Sequence, residues 1–284
     1  MEDEKTLVAI IYDFDKTLCD KDMQEYSFIP NLGMDPKDFW IETDKFVNKE
    51  KMDKILGCMY MMLHKTKINN KYITKEYLNN LGKDINFFPG IAEWFERINK
   101  YGENLGLKIE HYIISSGLKE IIEGTTISKY FKEIYACEFL YDENNNAAWP
   151  KMSVNYTTKT QFLSRINKGV LDISDDYSLN KKMLEENRRI STKNMIYLGD
   201  GFTDIPSMRM TRENGGYAIA VYQNSDKKIV KNLISENRID FYSKADYRED
   251  SDIDKLIKNI LKDISIKSEL KNLHKKQINE AKEN

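Results

Sequence analysis

The sequence contains little of what marks a secreted, zinc-binding or disulfide-stabilised protein. Only three of its 284 residues are cysteines, Cys19, Cys58 and Cys137, and they form no CxxC pair. An odd number of widely spaced cysteines argues against a disulfide framework and a zinc site, and it fits a reducing compartment. The three histidines are scattered without the spacing of metal ligands.

Charge excess and long apolar runs are absent too. The 44 basic and 46 acidic side chains leave a net charge of -2, so the composition does not indicate nucleic-acid binding. No apolar run approaches the roughly 18 residues that a membrane span needs, and the acidic N-terminus does not resemble a signal peptide. We therefore expect a cytoplasmic protein without membrane or nucleic-acid partners. Nothing in the sequence indicates an oligomeric state.

What the sequence does contain is a series of short apolar runs rich in Ile, Val and Tyr, separated by helical patterns. The runs cover residues 7–14, 108–116, 194–200 and 216–222, and a fifth, at 133–142, precedes an Asn-rich hairpin turn. Near-continuous apolar strands that alternate with helices are typical of a parallel sheet covered on both faces. The sequence predicts a doubly wound α/β fold.

A long helical insertion separates the first two predicted strands. A crossover helix at 90–102 accounts for only the end of the intervening stretch, and residues 19–88 show helical periodicity without a strand pattern. The periodic segments are 37–49, 52–65 and 74–85. We expect a core domain formed by residues 1–18 and 89–284, with a helical cap domain at 19–88. The last stretch, from residue 252, predicts a long amphipathic helix.

Polar residues follow three of the predicted strands. The first ends in Asp13 and Asp15, the second in Ser115, and the third in Asp200, with Asp204 four residues further on. Because ligands bind outside the carboxyl ends of strands in open α/β sheets, we expect these side chains to share one crevice. Burying like charges together is costly, so a cation or a reaction must compensate.

Phosphoryl transfer is the chemistry that this set of residues fits. Asp13 is a candidate nucleophile, because a carboxylate can form an aspartyl-phosphate. Asp15 lies on the same face of an extended segment and can act as general acid and base. Asp200 and Asp204 would join Asp13 in a hard oxygen site suited to Mg2+. The sequence predicts a Mg2+-dependent hydrolase of phosphomonoesters.

The remaining candidates are phosphate ligands. Ser115 can donate its hydroxyl to a phosphate oxygen, and we expect Ser116 and Gly117 to open a helix whose N-terminal amides favour anions. Lys159 begins a further helical run and can neutralise the charge of phosphate and nucleophile. Lys151 precedes the same run and is the alternative cation, although we favour Lys159 for its position at the helix start.

The order and spacing of DFDKTL, IISSG, a helix-opening Lys and GDGFTD resemble motifs I to IV of the haloacid dehalogenase (HAD) superfamily. The insertion between the first two motifs is similar to a C1-type cap, and the combination most resembles the phosphoserine-phosphatase-like group. This resemblance implies a Rossmann-like core, a Mg2+ cofactor and an aspartyl-phosphate intermediate. It implies that Asp13 is the nucleophile, Asp15 the general acid and base, Ser115 a phosphate ligand and Lys159 the group that neutralises charge. It also implies that Asp13, Asp200 and the backbone carbonyl of Asp15 bind Mg2+, and that Asp204 binds the ion or a water on it.

Two departures from that group bear on the substrate. Where phosphoserine phosphatases carry a Glu that reads the substrate amine, this sequence has Asp22, and Ser115-Ser116-Gly117 replaces their usual SGG. We expect a small phosphorylated metabolite as substrate, with Asp22 either reading an amine or capping a helix. A phosphotransferase or phosphomutase, and a catalytically silent phosphate-binding protein, are the alternatives on the same fold.

Overall fold

The computed structural model describes residues 5–223 and 227–282. The predicted apolar runs all form strands, because their Ile, Val and Tyr side chains are buried on both sheet faces. Across the described residues the strands number seven: β1 Thr6–Tyr12, β2 Leu107–Leu118, β3 Phe131–Tyr141, β4 Ala147–Met152, β5 Met195–Gly199, β6 Tyr217–Tyr222 and β7 Phe241–Lys244.

The seven strands form one sheet in the order β4-β3-β2-β1-β5-β6-β7. Only the β3–β4 pair among them is antiparallel, and it closes the predicted Asn-rich hairpin, in which Asn145 adopts a left-handed φ of 61°. The strand order reverses direction at β1. Because crossovers between parallel strands are right-handed as a rule, this reversal is expected to place helices on both faces of the sheet. The predicted doubly wound, Rossmann-like α/β fold is therefore confirmed.

Helices complete the core and occupy most of the insertion. In the described ranges they are α1 Phe28–Asn31, α2 Pro36–Glu50, α3 Lys54–Ile68, α4 Lys75–Leu81, α5 Ile91–Asn104, α6 Lys119–Glu123, α7 Lys159–Lys168, α8 Asp176–Asn180, α9 Ile205–Glu213, α10 Lys227–Ser235 and α11 Asp252–Lys282. Helix α5 is the predicted crossover helix. Helix α11 is the predicted C-terminal helix; its last buried residue is Ser265, and its residues from 269 onward are exposed.

The chain leaves and re-enters the core at one place. Cys19 pairs with Phe87 in an isolated antiparallel bridge, and the Phe88 amide donates to the Leu18 carbonyl at 3.0 Å. Between these linkers lie α1 to α4 and short 3-10 turns. We propose that residues 19–88 are a cap domain, and the paired linkers support a boundary at this point.

The second predicted strand ends differently from expectation. Residues 115–117 do not open a helix: β2 continues to Leu118, and α6 starts only at Lys119. Ile114 pairs with Tyr135 whereas Leu118 pairs with Cys137, so β2 carries two extra residues here and bulges. Pairing of Leu118 with β3 holds the chain extended. The predicted phosphate-binding residues 115–117 thus lie in a β-bulge, a feature that often orients side chains next to active sites.

No helix within the described ranges is long and apolar enough to cross a membrane.

Candidate active site

A buried lysine joins two carboxylates at the carboxyl edge of the sheet. Lys159 Nζ lies 2.8 Å from Asp13 Oδ1 and 2.8 Å from Asp204 Oδ1. Lys159 and Asp204 are fully buried and Asp13 is 5% exposed. Burial acts to lower the pKa of Lys159, but the two carboxylates outweigh it and raise the pKa above its ordinary value. The ammonium group is therefore held charged.

The register of the central strands brings the third carboxylate to the same place. Tyr12 of β1 is level with Leu198 of β5, and the Asp13 amide donates to the Leu198 carbonyl at 2.9 Å. Asp200 follows β5 directly. One oxygen each from Asp13, Asp200 and Asp204 lies within 4.8 Å of the others.

The position of Asp204 depends on two β5 residues. The Tyr197 hydroxyl donates to Asp204 Oδ1 at 2.7 Å. At Gly199 a Cβ would lie only 2.6 Å from Asp204 Cγ, so this position requires glycine. Asp204 Oδ2 is buried and has no hydrogen-bond partner among the described residues. A buried orphan oxygen beside two further carboxylates fits a bound cation.

The pKa values of the clustered carboxyls reflect the density of negative charge. Burial raises the pKa of Asp13 to about 6, the Asp204 carboxylate adds to the rise, and Lys159 opposes it. Burial raises the pKa of Asp200 well above its ordinary value, and Asp13 and Asp204 add to that shift. Each carboxyl is costly to ionise next to the others, which is the condition that a divalent cation relieves.

Asp15 occupies a different environment, because no cation contacts its carboxyl group among the described residues. Its Oδ1 accepts the Met23 amide at 2.9 Å. Burial, then the charges of Asp22 and Asp13, raise the pKa of Asp15 well above its ordinary value. The Asp15 carboxyl therefore holds its proton more tightly than an ordinary aspartate does.

The β2 bulge supplies hydroxyl groups beside these carboxyls. Ser115 Oγ accepts the Gly117 amide at 3.0 Å, which leaves the hydroxyl hydrogen free to donate to a ligand. Ser116 Oγ is buried without a hydrogen-bond partner in the described part of the chain. Both serines line the central cavity, and a Cβ at Gly117 would lie 2.0 Å from Met23 Cε.

The two residues that the sequence left open are placed as follows. Lys151 lies on β4, where it is half exposed and pairs with Glu138 at 2.8 Å, away from the carboxylates. Asp22 lines the cavity, but it pairs with Lys16 Nζ at 2.7 Å and caps no helix with its side chain. Reading of an amine by Asp22 stays a prediction.

A cavity of about 540 Å³ connects the carboxylates with the helices of the insertion. Sequence reasoning did not assign a binding role to several side chains that line or support it. They are Lys16, Gln24, Trp40, Phe202 and Tyr197. Lys16, inside the first motif, could have been noticed as an extra cation, whereas the others depend on contacts between distant parts of the chain.

Fold and site together define a doubly wound α/β protein with a buried lysine and carboxylate site at the carboxyl edge of its sheet. A sequence profile of the family described as Putative Phosphatase matches residues 8–222, which is more than half of the chain. The chain belongs to this family, and it is a phosphatase.

Individual proteins match most of this chain in sequence or in fold. The chain is 28% identical to an uncharacterized protein of Borreliella burgdorferi, over 87% of this chain and 94% of that protein. It is similar to a phosphoserine phosphohydrolase-like protein from Francisella tularensis, with TM-score 0.52 and 19% identity over 84% of this chain and 95% of that one. A structure described as a phospho-aspartyl intermediate analogue of phosphoserine phosphatase gives TM-score 0.53 and 16% identity, over 90% and 99% respectively.

Proposed function

We propose that this phosphatase depends on Mg2+ and hydrolyses a small phosphomonoester through a phosphorylated Asp13. The observation that carries the proposal is the buried Lys159 between Asp13 and Asp204, with Asp200 close enough to share a cation. Lysine and carboxylates gathered at the carboxyl edge of a parallel sheet are what phosphoryl transfer through an aspartate needs, because positioning and charge dominate that reaction.

In the first step an oxygen of Asp13 attacks phosphorus and the bond to the leaving alcohol breaks. Asp15 gives its proton to the departing oxygen, which its raised pKa suits it to do. Lys159 and the Ser115 hydroxyl compensate the negative charge on the phosphoryl oxygens.

In the second step Asp15, now ionised, takes a proton from water as the water oxygen attacks phosphorus. The bond between Asp13 and phosphorus breaks, so inorganic phosphate leaves and both aspartates return to their starting states. Such acid–base help contributes roughly 100- to 10,000-fold to the rate.

Asp13, Asp200 and Asp204 are the residues that would hold Mg2+, together with the backbone carbonyl of Asp15. They fit the ion because they are hard oxygen donors and because Asp204 Oδ2 is buried without a partner among the described residues. Bound Mg2+ would supply positive charge that offsets the carboxylates and polarises the phosphate.

The test is hydrolysis of p-nitrophenyl phosphate by the purified full chain with and without Mg2+. Asp13→Asn should abolish turnover and the acid-stable phosphorylation of the protein, whereas Asp38→Asn, on the exposed side of α2, should leave both intact. Activity that survives exhaustive chelation would contradict the Mg2+ requirement. Turnover by Asp13→Asn would contradict the nucleophile.

The same assay separates the alternatives. A phosphotransferase would pass phosphate to an added alcohol in preference to water. Comparing the amount of inorganic phosphate released with the amount of alcohol phosphate formed would reveal this preference. A silent binding protein would show calorimetric binding of phosphate esters without any turnover.

A further inference from the structure

The end of the cavity away from the carboxylates is built from the insertion. Ile55, Met59 and Met62 line it from one face of α3, at the spacing of successive helical turns. Met59 is 2% exposed and Met62 is fully buried, so the wall they form is packed from behind. This wall is apolar and deformable, because methionine fills irregular space with a polarizable side chain.

Two aromatic side chains border the same space. Trp40 of α2 lines the cavity, and its indole Nε1 donates to Glu25 Oε1 at 2.6 Å, which fixes the plane of the ring. Phe202 lines the cavity from the loop after β5 and is 70% exposed. A fixed indole from the insertion and an uncovered phenyl ring from the core offer aromatic surface to a flat apolar body in the cavity.

Gln24 is a polar side chain of this region whose amide faces the cavity. It is 6% exposed and lines the cavity, and its side-chain amide makes no hydrogen bond to the described residues and is not among their buried unpartnered groups. An amide that faces the cavity can bond a ligand without giving up a partner in the protein. An amide carries both a donor and an acceptor, so it is suited to an uncharged edge that offers the complementary pair.

Two lysines that line the cavity are already paired with carboxylates. Lys16 neutralises Asp22 at 2.7 Å, and Lys54 pairs with Asp44 at 2.9 Å. A cationic or anionic leaving group would compete with one of these partners. A neutral group meets no such competition.

We propose that Gln24, Trp40 and the α3 methionines form a specificity site for a leaving group with a flat apolar body and an uncharged hydrogen-bonding edge. This assignment rests on the proposed function, because it concerns the alcohol part of the phosphomonoester. It makes Gln24 a residue that reads the leaving group.

The test uses phosphate esters that differ only far from the reacting oxygen. The probes are 3-carbamoylbenzyl phosphate with a neutral edge, benzyl phosphate with none, 3-(aminomethyl)benzyl phosphate with a cation, and propyl phosphate without a ring. Wild-type kcat/KM should be roughly five- to tenfold higher for the carbamoyl ester than for benzyl phosphate, which corresponds to the gain from one or two hydrogen bonds. The aminomethyl ester should fall below both, and propyl phosphate should fall below benzyl phosphate.

Two variants and a control isolate the amide. Gln24→Leu should bring the carbamoyl to benzyl ratio close to one, and the isosteric Gln24→Glu should shift preference to the aminomethyl ester. Gln277→Leu makes the same change on the exposed part of α11 and should keep the wild-type ratios. Because each result is a ratio within one protein, a general loss of activity cancels.

Equal kcat/KM for the carbamoyl and benzyl esters in the wild type would overturn the role of Gln24, even if Gln24→Leu failed to fold. A preference for the aminomethyl ester would overturn it in favour of an amine reader such as Asp22. Turnover of p-nitrophenyl phosphate alongside either result would leave the proposed function standing. No turnover of p-nitrophenyl phosphate or any ester would overturn both.

Discussion

Replacement of Lys159 by methionine tests whether the buried lysine holds the site together. The change keeps a long side chain but removes a cation that lies 2.8 Å from Asp13 and 2.8 Å from Asp204. Removing one partner of a buried ion pair leaves uncompensated charge and costs about 3–5 kcal/mol. We expect Lys159→Met to lower the free energy of unfolding by that amount at pH 8 without divalent ions, and to abolish phosphatase activity.

The loss should depend on pH in a defined direction. The pKa of Asp13 in the folded protein is about 6, raised by burial and Asp204 and opposed by Lys159. Without Lys159 the pKa rises further, so the folded state holds a proton on Asp13 that the unfolded chain releases above about pH 4. A group with a raised folded pKa destabilises the fold increasingly as pH rises. The cost of Lys159→Met should therefore be smaller at pH 5.5 than at pH 8.

The assay is urea unfolding followed by circular dichroism at both pH values in the presence of a chelator. Lys151→Met is the matched control, because Lys151 forms an exposed pair with Glu138 at 2.8 Å and such pairs contribute about 0–1 kcal/mol. Equal losses for the two variants, or a loss for Lys159→Met that does not change with pH, would refute the reasoning.

Two further outcomes follow from buried contacts near the site. Burial lowers the pKa of His111 to about 3, and its Nδ1 lies 3.0 Å from the Tyr12 hydroxyl. His111 becomes protonated below about pH 6.5 in the unfolded chain but stays neutral in the folded protein. The free energy of unfolding should therefore fall by about 2 kcal/mol from pH 7 to pH 5. In urea titrations His111→Gln should lack that part of the loss. Gly199→Ala places a Cβ 2.6 Å from Asp204 Cγ, so the Mg2+ concentration for half-maximal activity should rise roughly 10- to 100-fold. Gly201→Ala is the control, because the space around Gly201 is open, and it should leave that Mg2+ concentration unchanged.

The central part of the fold could be predicted because its strands are buried on both faces. The runs that became β1, β2, β5 and β6 are nearly continuous in apolar residues. Their polar ends then had to meet at one edge, which places Asp13 and Asp200 together.

The two edge strands were not assigned, for physical reasons. In β4 the sequence AAWPKM contains Pro150 and buries none of its residues fully, and in β7 only Ser243 of four residues is buried. Edge strands have one free side and tolerate proline, so they need no apolar signal. Their pairing is decided by neighbours that are distant in sequence.

The error at residues 116–117 has a similar origin. Ser-Gly ahead of LKEIIE suggests a helix start, since serine is a common helix N-cap. The pairing of Leu118 with Cys137 overrides that local preference and keeps the chain extended. Contacts such as Tyr197 with Asp204 depend on the same tertiary arrangement and leave no local pattern.

Asp13 and Asp15 illustrate how one short motif can place two carboxyl groups in different charge environments. Both carboxyls are buried, and burial alone would favour the protonated form of each. The difference comes from Lys159, which touches Asp13 and has no contact with Asp15 among the described residues. The proposed reaction needs an ionised nucleophile beside a protonated acid, so a lysine placed 146 residues later in the chain decides which aspartate plays which part.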